Sequence, residues 1–249
     1  MIHDYVTGKT AVTIDEISTT FGISIATVHR DLIQLEQEGM LNKVRGGAIP
    51  RANQFFETSF AHRMHQASAE KALICKYAAR FLRDNASIML DNSTTVFGLV
   101  RYLRNFKNLT VITYFQEIII ELSRPGYDAT IVATGGELSR IHRTFVGPIV
   151  ETVLKEMHAD VAFISAPAIS PIVGIMHPFT DEYRRKRLLI ECSNETNLLV
   201  DHTKFNRTAL NVIAPLDKIK RIITDRPLEP EVAKDIEDMG VELYIASED

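Results

Sequence analysis

Residues 12–39 read Val12-Thr13-Ile14-Asp15-Glu16-Ile17-Ser18-Thr19-Thr20-Phe21-Gly22-Ile23-Ser24-Ile25-Ala26-Thr27-Val28-His29-Arg30-Asp31-Leu32-Ile33-Gln34-Leu35-Glu36-Gln37-Glu38-Gly39. Thr13-x-x-Glu16 has capping-box spacing, in which a hydroxyl takes the amide three residues on and the carboxylate reaches back. A short helix from about Ile14 to Thr20 follows, with Ile14 and Ile17 inward, and Gly22 supplies the positive φ that ends it. Ser24 caps a second helix running to about Glu38. Ile25, Val28, Leu32 and Leu35 share one face of it, while Ala26, Thr27, Arg30, Ile33, Gln34 and Gln37 lie opposite. Two short helices joined at a glycine make a helix-turn-helix, whose second helix fits a DNA major groove. On that helix Thr27 and Gln34 offer polar contacts, and Arg30 reaches a phosphate or a guanine edge.

Next comes Met40-Leu41-Asn42-Lys43-Val44-Arg45-Gly46-Gly47-Ala48-Ile49. Two β-prone runs around Gly-Gly predict a hairpin, a wing that aims Lys43 and Arg45 at backbone phosphates. The bland alternative is a small packing module with no ligand.

The whole chain of 249 residues carries a net charge of −4, with 45% hydrophobic and 24% charged residues. That is an ordinary globular composition, long enough for a small domain joined to a large one. No apolar run reaches the roughly 18 residues of a membrane span and no charged-then-apolar leader opens the chain, so a cytoplasmic protein is expected. Cys75 and Cys192, two isolated thiols, suit a reducing compartment. Through Asn53 the bases Lys9, Arg30, Lys43, Arg45 and Arg51 are outnumbered by Asp4, Asp15, Glu16, Asp31, Glu36 and Glu38. Any DNA contact must therefore come from a few placed cations, not from a basic field.

Val12–Ile17, Phe21-Gly22-Ile23-Ser24, Thr27–Leu32, Leu35-Glu36-x-x-Gly39-x-Leu41 and Val44–Ala48 resemble the winged helix of DeoR-family bacterial transcription regulators. The resemblance implies operator DNA as a partner, with Thr13, Ser24, Ala26, Thr27, His29, Arg30, Gln34, Lys43 and Arg45 as the candidate contacts. His29 stands where the family usually has the first of two arginines, which makes one positive charge depend on pH. Only Ile2 to about Thr7 is left for the family's first helix, so a shortened helix is expected.

Residues 1–52 are thus assigned to the DNA-binding head, 53–67 to a linker and 68–249 to a larger domain. His62-x-x-His65 in the linker has helical metal-ligand spacing but no third ligand nearby, and reads as a solvated pair. From Ser68 helix and strand alternate. Strands are predicted near 87–90, 110–112, 130–133, 160–165, 197–200, 221–224 and 242–245, and helices near 68–84, 95–104, 115–123, 148–157, 181–192 and 230–239. This pattern predicts an α/β domain with a mainly parallel sheet flanked by helices, whose ligands bind beyond the carboxyl ends of the strands.

Three loops fall there. Asp91-Asn92-Ser93-Thr94-Thr95 offers hydroxyls and free amides at a helix start, suited to a phosphate or carboxylate, or simply caps the helix. Gly135-Gly136 lets backbone amides approach a ligand, or makes an ordinary turn. Lys204, in Val200-Asp201-His202-Thr203-Lys204-Phe205, neutralises a phosphate or is a surface charge.

Asp91 with Thr94-Thr95, Gly135-Gly136-Glu137-Leu138, Val146-Gly147-Pro148, Asp201-x-x-Lys204-Phe205 and Ile222–Asp225 also resemble the DeoR effector domain, of the ribose-5-phosphate isomerase-like fold. The resemblance implies a sensor for a phosphorylated sugar or related metabolite, assembled as a homodimer or homotetramer. It also implies a repressor of a carbohydrate operon, needing no cofactor and no metal. Ser93 replaces the usual glycine, Tyr114 the usual asparagine, and Ser165-Ala166-Pro167-Ala168 a Gly-Ala-Asp-Gly stretch. An isomerase-like enzyme is the alternative, but it needs a carboxylate base that the Ser165–Ala168 loop lacks. A sensor with a defective head is the third reading.

Overall fold

The computed structural model describes residues 2–7, 12–38, 40–44, 46–50, 60–140 and 142–247. Arg45 and Arg51 lie outside the described residues, as does the part of the stretch read as linker from 53 to 59. The chain divides into two compact units, Met1–Ser59 and Phe60–Asp249.

The first unit opens with α1 (Ile2–Thr7) and β1 (Val12–Thr13), then α2 (Ile14–Phe21), α3 (Ile25–Gln37), β2 (Leu41–Val44) and β3 (Gly47–Pro50). The capping box forms as read: the Thr13 amide donates to Glu16 Oε2 at 2.8 Å and the Glu16 amide to Thr13 Oγ1 at 3.2 Å. Gly22 ends α2 with φ 63°. The wing is antiparallel, and β3 also pairs with β1, giving the order β1-β3-β2. A Cβ on Gly47 would sit 2.1 Å from the Val12 carbonyl oxygen, so only glycine lets these strands meet. Val6, Val12, Ile17, Val28, Leu32, Leu41 and Ala48 form the core, and Tyr5 packs edge-on against Phe21 at 5.5 Å. The six residues of α1 thus place Val6 fully inside. Ile25, expected inward, is a correction: it is 51% exposed. As the first residue of α3 it precedes the turn that reaches the core.

The second unit starts inside the stretch read as linker. α4 (Phe60–His65) occupies part of 53–67, and the Phe60 ring packs on Phe115 at 5.2 Å and on Phe97 at 5.5 Å. Then follow α5 (Ser68–Ala78), β4 (Ser87–Leu90), α6 (Thr94–Leu99), β5 (Leu109–Thr113), α7 (Gln116–Leu122) and β6 (Ala129–Ala133). After them come β7 (Glu137–Ser139), β8 (Thr144–Val146), α8 (Pro148–Lys155), β9 (Ala159–Ile164), β10 (Ala168–Ser170), β11 (Gly174–His177) and α9 (Thr180–Glu191). The unit ends with β12 (Ser193–Leu199), β13 (Asn211–Ala214), β14 (Arg221–Thr224), α10 (Pro230–Asp238) and β15 (Glu242–Ile245).

All seven predicted strands are present and pair in parallel in the order β15-β14-β12-β9-β4-β5-β6. Apolar clusters cover both faces, as strands buried on two sides require. The helix predicted over 95–104 is α6 followed by a 3₁₀ stretch, Val100–Asn105. Two features escape the pattern: the β7–β8 hairpin and the antiparallel sheet β10-β11-β13. Strands such as Glu137-Leu138-Ser139 and Gly174-Ile175-Met176-His177 hold only one or two central apolar residues, too short a run to stand out. The two ends of the unit are clasped. Tyr77 and Phe81, in and just after α5, pack at a tilt on Tyr244 of β15 with ring centres 5.5 and 5.3 Å away, and Glu70 pairs with Arg226 at 3.3 Å. Among the described residues no helix is long and apolar enough to cross a membrane.

Candidate functional site

Strand order reverses between β4 and β9, and a crevice opens at such a switch point beyond the strands' carboxyl ends. Asp91, one residue past β4, lies there fully buried. Its Oδ1 accepts the Ser93 amide at 2.9 Å, while Oδ2 accepts the Ser165 amide at 2.8 Å and the Lys186 ammonium. Both oxygens are therefore engaged: Oδ1 shapes the turn into α6, and Oδ2 fastens the ends of β4 and β9 to α9. Ser93 caps α6, accepting the Val96 amide at 3.1 Å. Asn92 donates to Glu182 Oε1 at 2.9 Å, and that oxygen also takes Arg185 at 2.6 Å. Thr94 and Thr95 are buried at the start of α6, where the Thr95 carbonyl accepts the Cys75 thiol at 3.0 Å. Burial pushes that thiol up to about 12, which makes it inert.

α9 thus turns three charges inward: Glu182, Arg185 and Lys186 are all buried. Burial alone would raise the Glu182 carboxyl, but Arg185 and Lys186 outweigh it and hold the group below its ordinary value. The Arg185 guanidinium lies 5.4 Å from the centre of the Tyr114 ring. Burial, with Glu182 and Asp91 nearby, drives the Tyr114 phenol well above its ordinary value. Among the described residues, the Tyr114 hydroxyl, Glu182 Oε2 and Arg185 Nε are buried with no hydrogen-bond partner. His177, buried beside Lys186, is lowered to about 3 and stays neutral.

A second group of charges lies at the end of β12. Lys204 Nζ is 3.5 Å from Asp201 Oδ2 and remains about a third exposed. Against the cost of burial, the Thr203 hydroxyl and Lys204 hold the Asp201 carboxyl below its usual range. Lys71 of α5 faces the same pair. Burial first, and then the Lys204 charge, lower it to about 8. It lines an open pocket with Ser68, Thr94, Arg101 and Tyr102, among others. Gly135 and Gly136 both have positive φ, 66° and 105°; a Cβ on Gly136 would meet the Val146 carbonyl at 2.9 Å. Gly136 is thus required by the return of the β7–β8 hairpin.

In the head, Ser24 Oγ accepts the Thr27 amide at 3.1 Å and pairs with the Thr27 hydroxyl at 2.9 Å, so both hydroxyls serve the cap. Thr13 is likewise in its capping box. Gln34 donates to Glu38 at 2.9 Å. Ala26, His29 and Arg30 are exposed, with Arg30 3.9 Å from Asp31. The Lys43 amide donates to Glu36 at 2.8 Å, which ties the wing to α3.

The structure brings Asp91, Asn92, Ser93, Thr94 and Thr95 together, and sets Lys204 at the same sheet edge. Sequence reasoning missed Lys71, Glu182, Arg185 and Lys186. The signal available was Glu182-x-x-Arg185-Lys186 on a helix lying across strand ends, charges that periodicity alone reads as solvated.

A winged helix-turn-helix followed by a doubly wound domain with a buried charge cluster at its strands' carboxyl ends defines a two-part regulator, a DNA-binding head and a sensor domain. Comparison with known proteins agrees. Residues 1–53 match the DeoR-like helix-turn-helix domain and residues 66–226 the DeoR C-terminal sensor domain. Among curated relatives, the HTH-type transcriptional regulator GolR of Listeria innocua is 32% identical over 94% of this chain and 92% of its own length. The HTH-type transcriptional repressor GlcR of Bacillus subtilis is 32% identical over 100% of this chain and 95% of its own length. The B. subtilis regulator IolR is 29% identical over 98% and 97%. This chain belongs to the DeoR family of DNA-binding transcriptional regulators. Ribose 5-phosphate isomerase from Plasmodium falciparum, at 15% identity and a TM-score of 0.40, overlaps 56% of this chain and 53% of its own.

Proposed function

We propose that this protein is a repressor of a carbohydrate operon, released from or recruited to its operator by a phosphorylated sugar or related metabolite bound at the carboxyl edge of the sheet. The observation that carries the reading is the placement of Lys71: its ammonium lines the open pocket, donates to the Arg63 carbonyl at 2.5 Å and feels the Lys204 charge, while Asp201 pairs with Lys204. Lys71 and Arg101 put positive charge on the lining of that pocket, and a phosphate would supply the balancing negative charge. The unpaired Tyr114, Glu182 and Arg185 atoms suit hydroxyl groups, which donate and accept at once. Asp91 remains part of the ligand site as its organiser, with Asn92, Ser93, Thr94, Thr95, Gly135 and Gly136 forming the surrounding loops.

The same geometry favours a sensor over an enzyme. Asp91 has both oxygens committed, and the Ser165–Ala168 loop brings no base. In the head, Ala26, His29, Arg30, Gln34 and Lys43 are the proposed DNA contacts, and Arg45, outside the described residues, is proposed with them on its sequence position alone. Two heads in a homodimer or homotetramer would read paired half-sites.

The test is a thermal-shift screen of the full chain with sugar phosphates and the matching free sugars. A phosphorylated ligand at a hundred times its Kd stabilises by about 2.7 kcal/mol, or roughly 5–10 °C in Tm. Lys204→Ala should remove most of that shift. A free sugar that stabilises as well as its phosphate would overturn the phosphate assignment.

A further inference from the structure

α3 carries an apolar stripe on its outer face. Ile25 is 51% exposed and Ile33 is 42% exposed, and neither belongs to the core of the head. With His29 between them they stand at i, i+4 and i+8, beside exposed Ala26 and Arg30. The polar groups of the same face are partly spent within the helix. Ser24 and Thr27 bond each other, and Gln34 bonds Glu38. The face therefore offers little hydrogen bonding at its amino-terminal turn, and two exposed apolar side chains, Ile25 and Ala26, in its place.

The amino-terminal turn of the second helix of a helix-turn-helix is the part that addresses base edges in the major groove. Only thymine shows an apolar group there, its C5-methyl; the other bases present donors and acceptors. An isoleucine set against those edges would desolvate a polar atom without replacing its hydrogen bond. Set against a thymine methyl, it buries carbon on carbon. We infer that Ile25, flanked by Ala26, is a specificity-determining residue that reads the methyl group of a thymine in each operator half-site. The inference rests on the DNA-binding role of α3 proposed above. It goes beyond that role by assigning part of the base identity to an apolar contact, beside the polar and charged contacts proposed for His29, Arg30 and Gln34. Continuity with that DNA-reading face selects DNA as the occupant of the stripe.

The test starts by selecting bound duplexes from a random pool with the full-length protein. Each thymine of the selected half-site is then replaced singly by deoxyuridine, which lacks the methyl and keeps the pairing edge. Burial of one methyl group corresponds to a factor of about four in affinity. One thymine position should therefore lose about three- to fivefold per half-site with the wild-type protein. Ile25→Ala should weaken the thymine duplex by a similar factor and abolish the uracil effect at that position. The inference is overturned if no uracil substitution weakens wild-type binding, or if the loss persists undiminished in Ile25→Ala. It is also overturned if Ile25→Ala changes only the oligomeric state, which would make the stripe a contact between copies. Failure to select any sequence would instead overturn the DNA-binding reading itself, and this inference with it.

Discussion

Lys71 is the residue on which the proposed phosphate site turns. Its side chain lies between the protein interior and a neighbouring Lys204, and these two lower it to about 8. Its charge is therefore complete below that pH and lost as pH rises through it, unlike an ordinary lysine. Affinity for a phosphorylated ligand should fall roughly tenfold between pH 7 and pH 9, because the protonated fraction falls by that factor around a value of about 8. Lys71→Arg, whose guanidinium keeps its charge, should flatten the profile. Isothermal calorimetry across that range is the check, and a flat wild-type profile would separate Lys71 from the ligand. Nothing in the sequence marked this lysine: it sits in an amphipathic helix among other charges, and only the fold brings it to Asp201.

At the scale of the element, α9 carries the sharpest lesson. Its periodicity predicts a helix, and the helix is there, but Glu182, Arg185 and Lys186 point inward. A charged residue in a sequence is read as a solvated one because burying it alone costs too much. The cost is offset here because the Asp91 carboxylate, 95 residues earlier in the chain, accepts the Lys186 ammonium. Such a pairing joins residues far apart in the chain, so no local pattern contains it. By contrast the seven strands and the two helices of the head were legible, since short apolar runs, capping residues and glycine stops are local. Lys186→Ala should destabilise the protein by about 3–5 kcal/mol, because it leaves the Asp91 carboxylate buried and unpaired. Lys186→Met paired with Asp91→Asn should recover much of this in a denaturant titration. A single-substitution loss below about 1 kcal/mol would mean that Asp91 finds solvent.

For the whole molecule, the net charge of −4 constrains how DNA can be held. The head has more acids than bases, so binding depends on a few phosphate contacts from residues such as Arg30 and Lys43. With two or three per head and two heads, the slope of log K against log salt should be about −4 to −5. A slope near −10 would point to a broad basic field instead. Electrophoretic or anisotropy titrations across a salt series measure it.

The clasp between the two ends of the sensor unit bears on how the chain is made. α5 leaves the ribosome early, yet the Tyr244 ring that Tyr77 and Phe81 pack on belongs to the last strand, as the Arg226 partner of Glu70 belongs to the segment after β14. Contacts this distant in sequence are slow to form, since a long loop must close before they reward it. The head, whose contacts are nearly all local, can finish folding during synthesis while the sensor waits for its final residues. A newly made molecule would thus carry a finished DNA-reading head before it has a completed sensor to govern it.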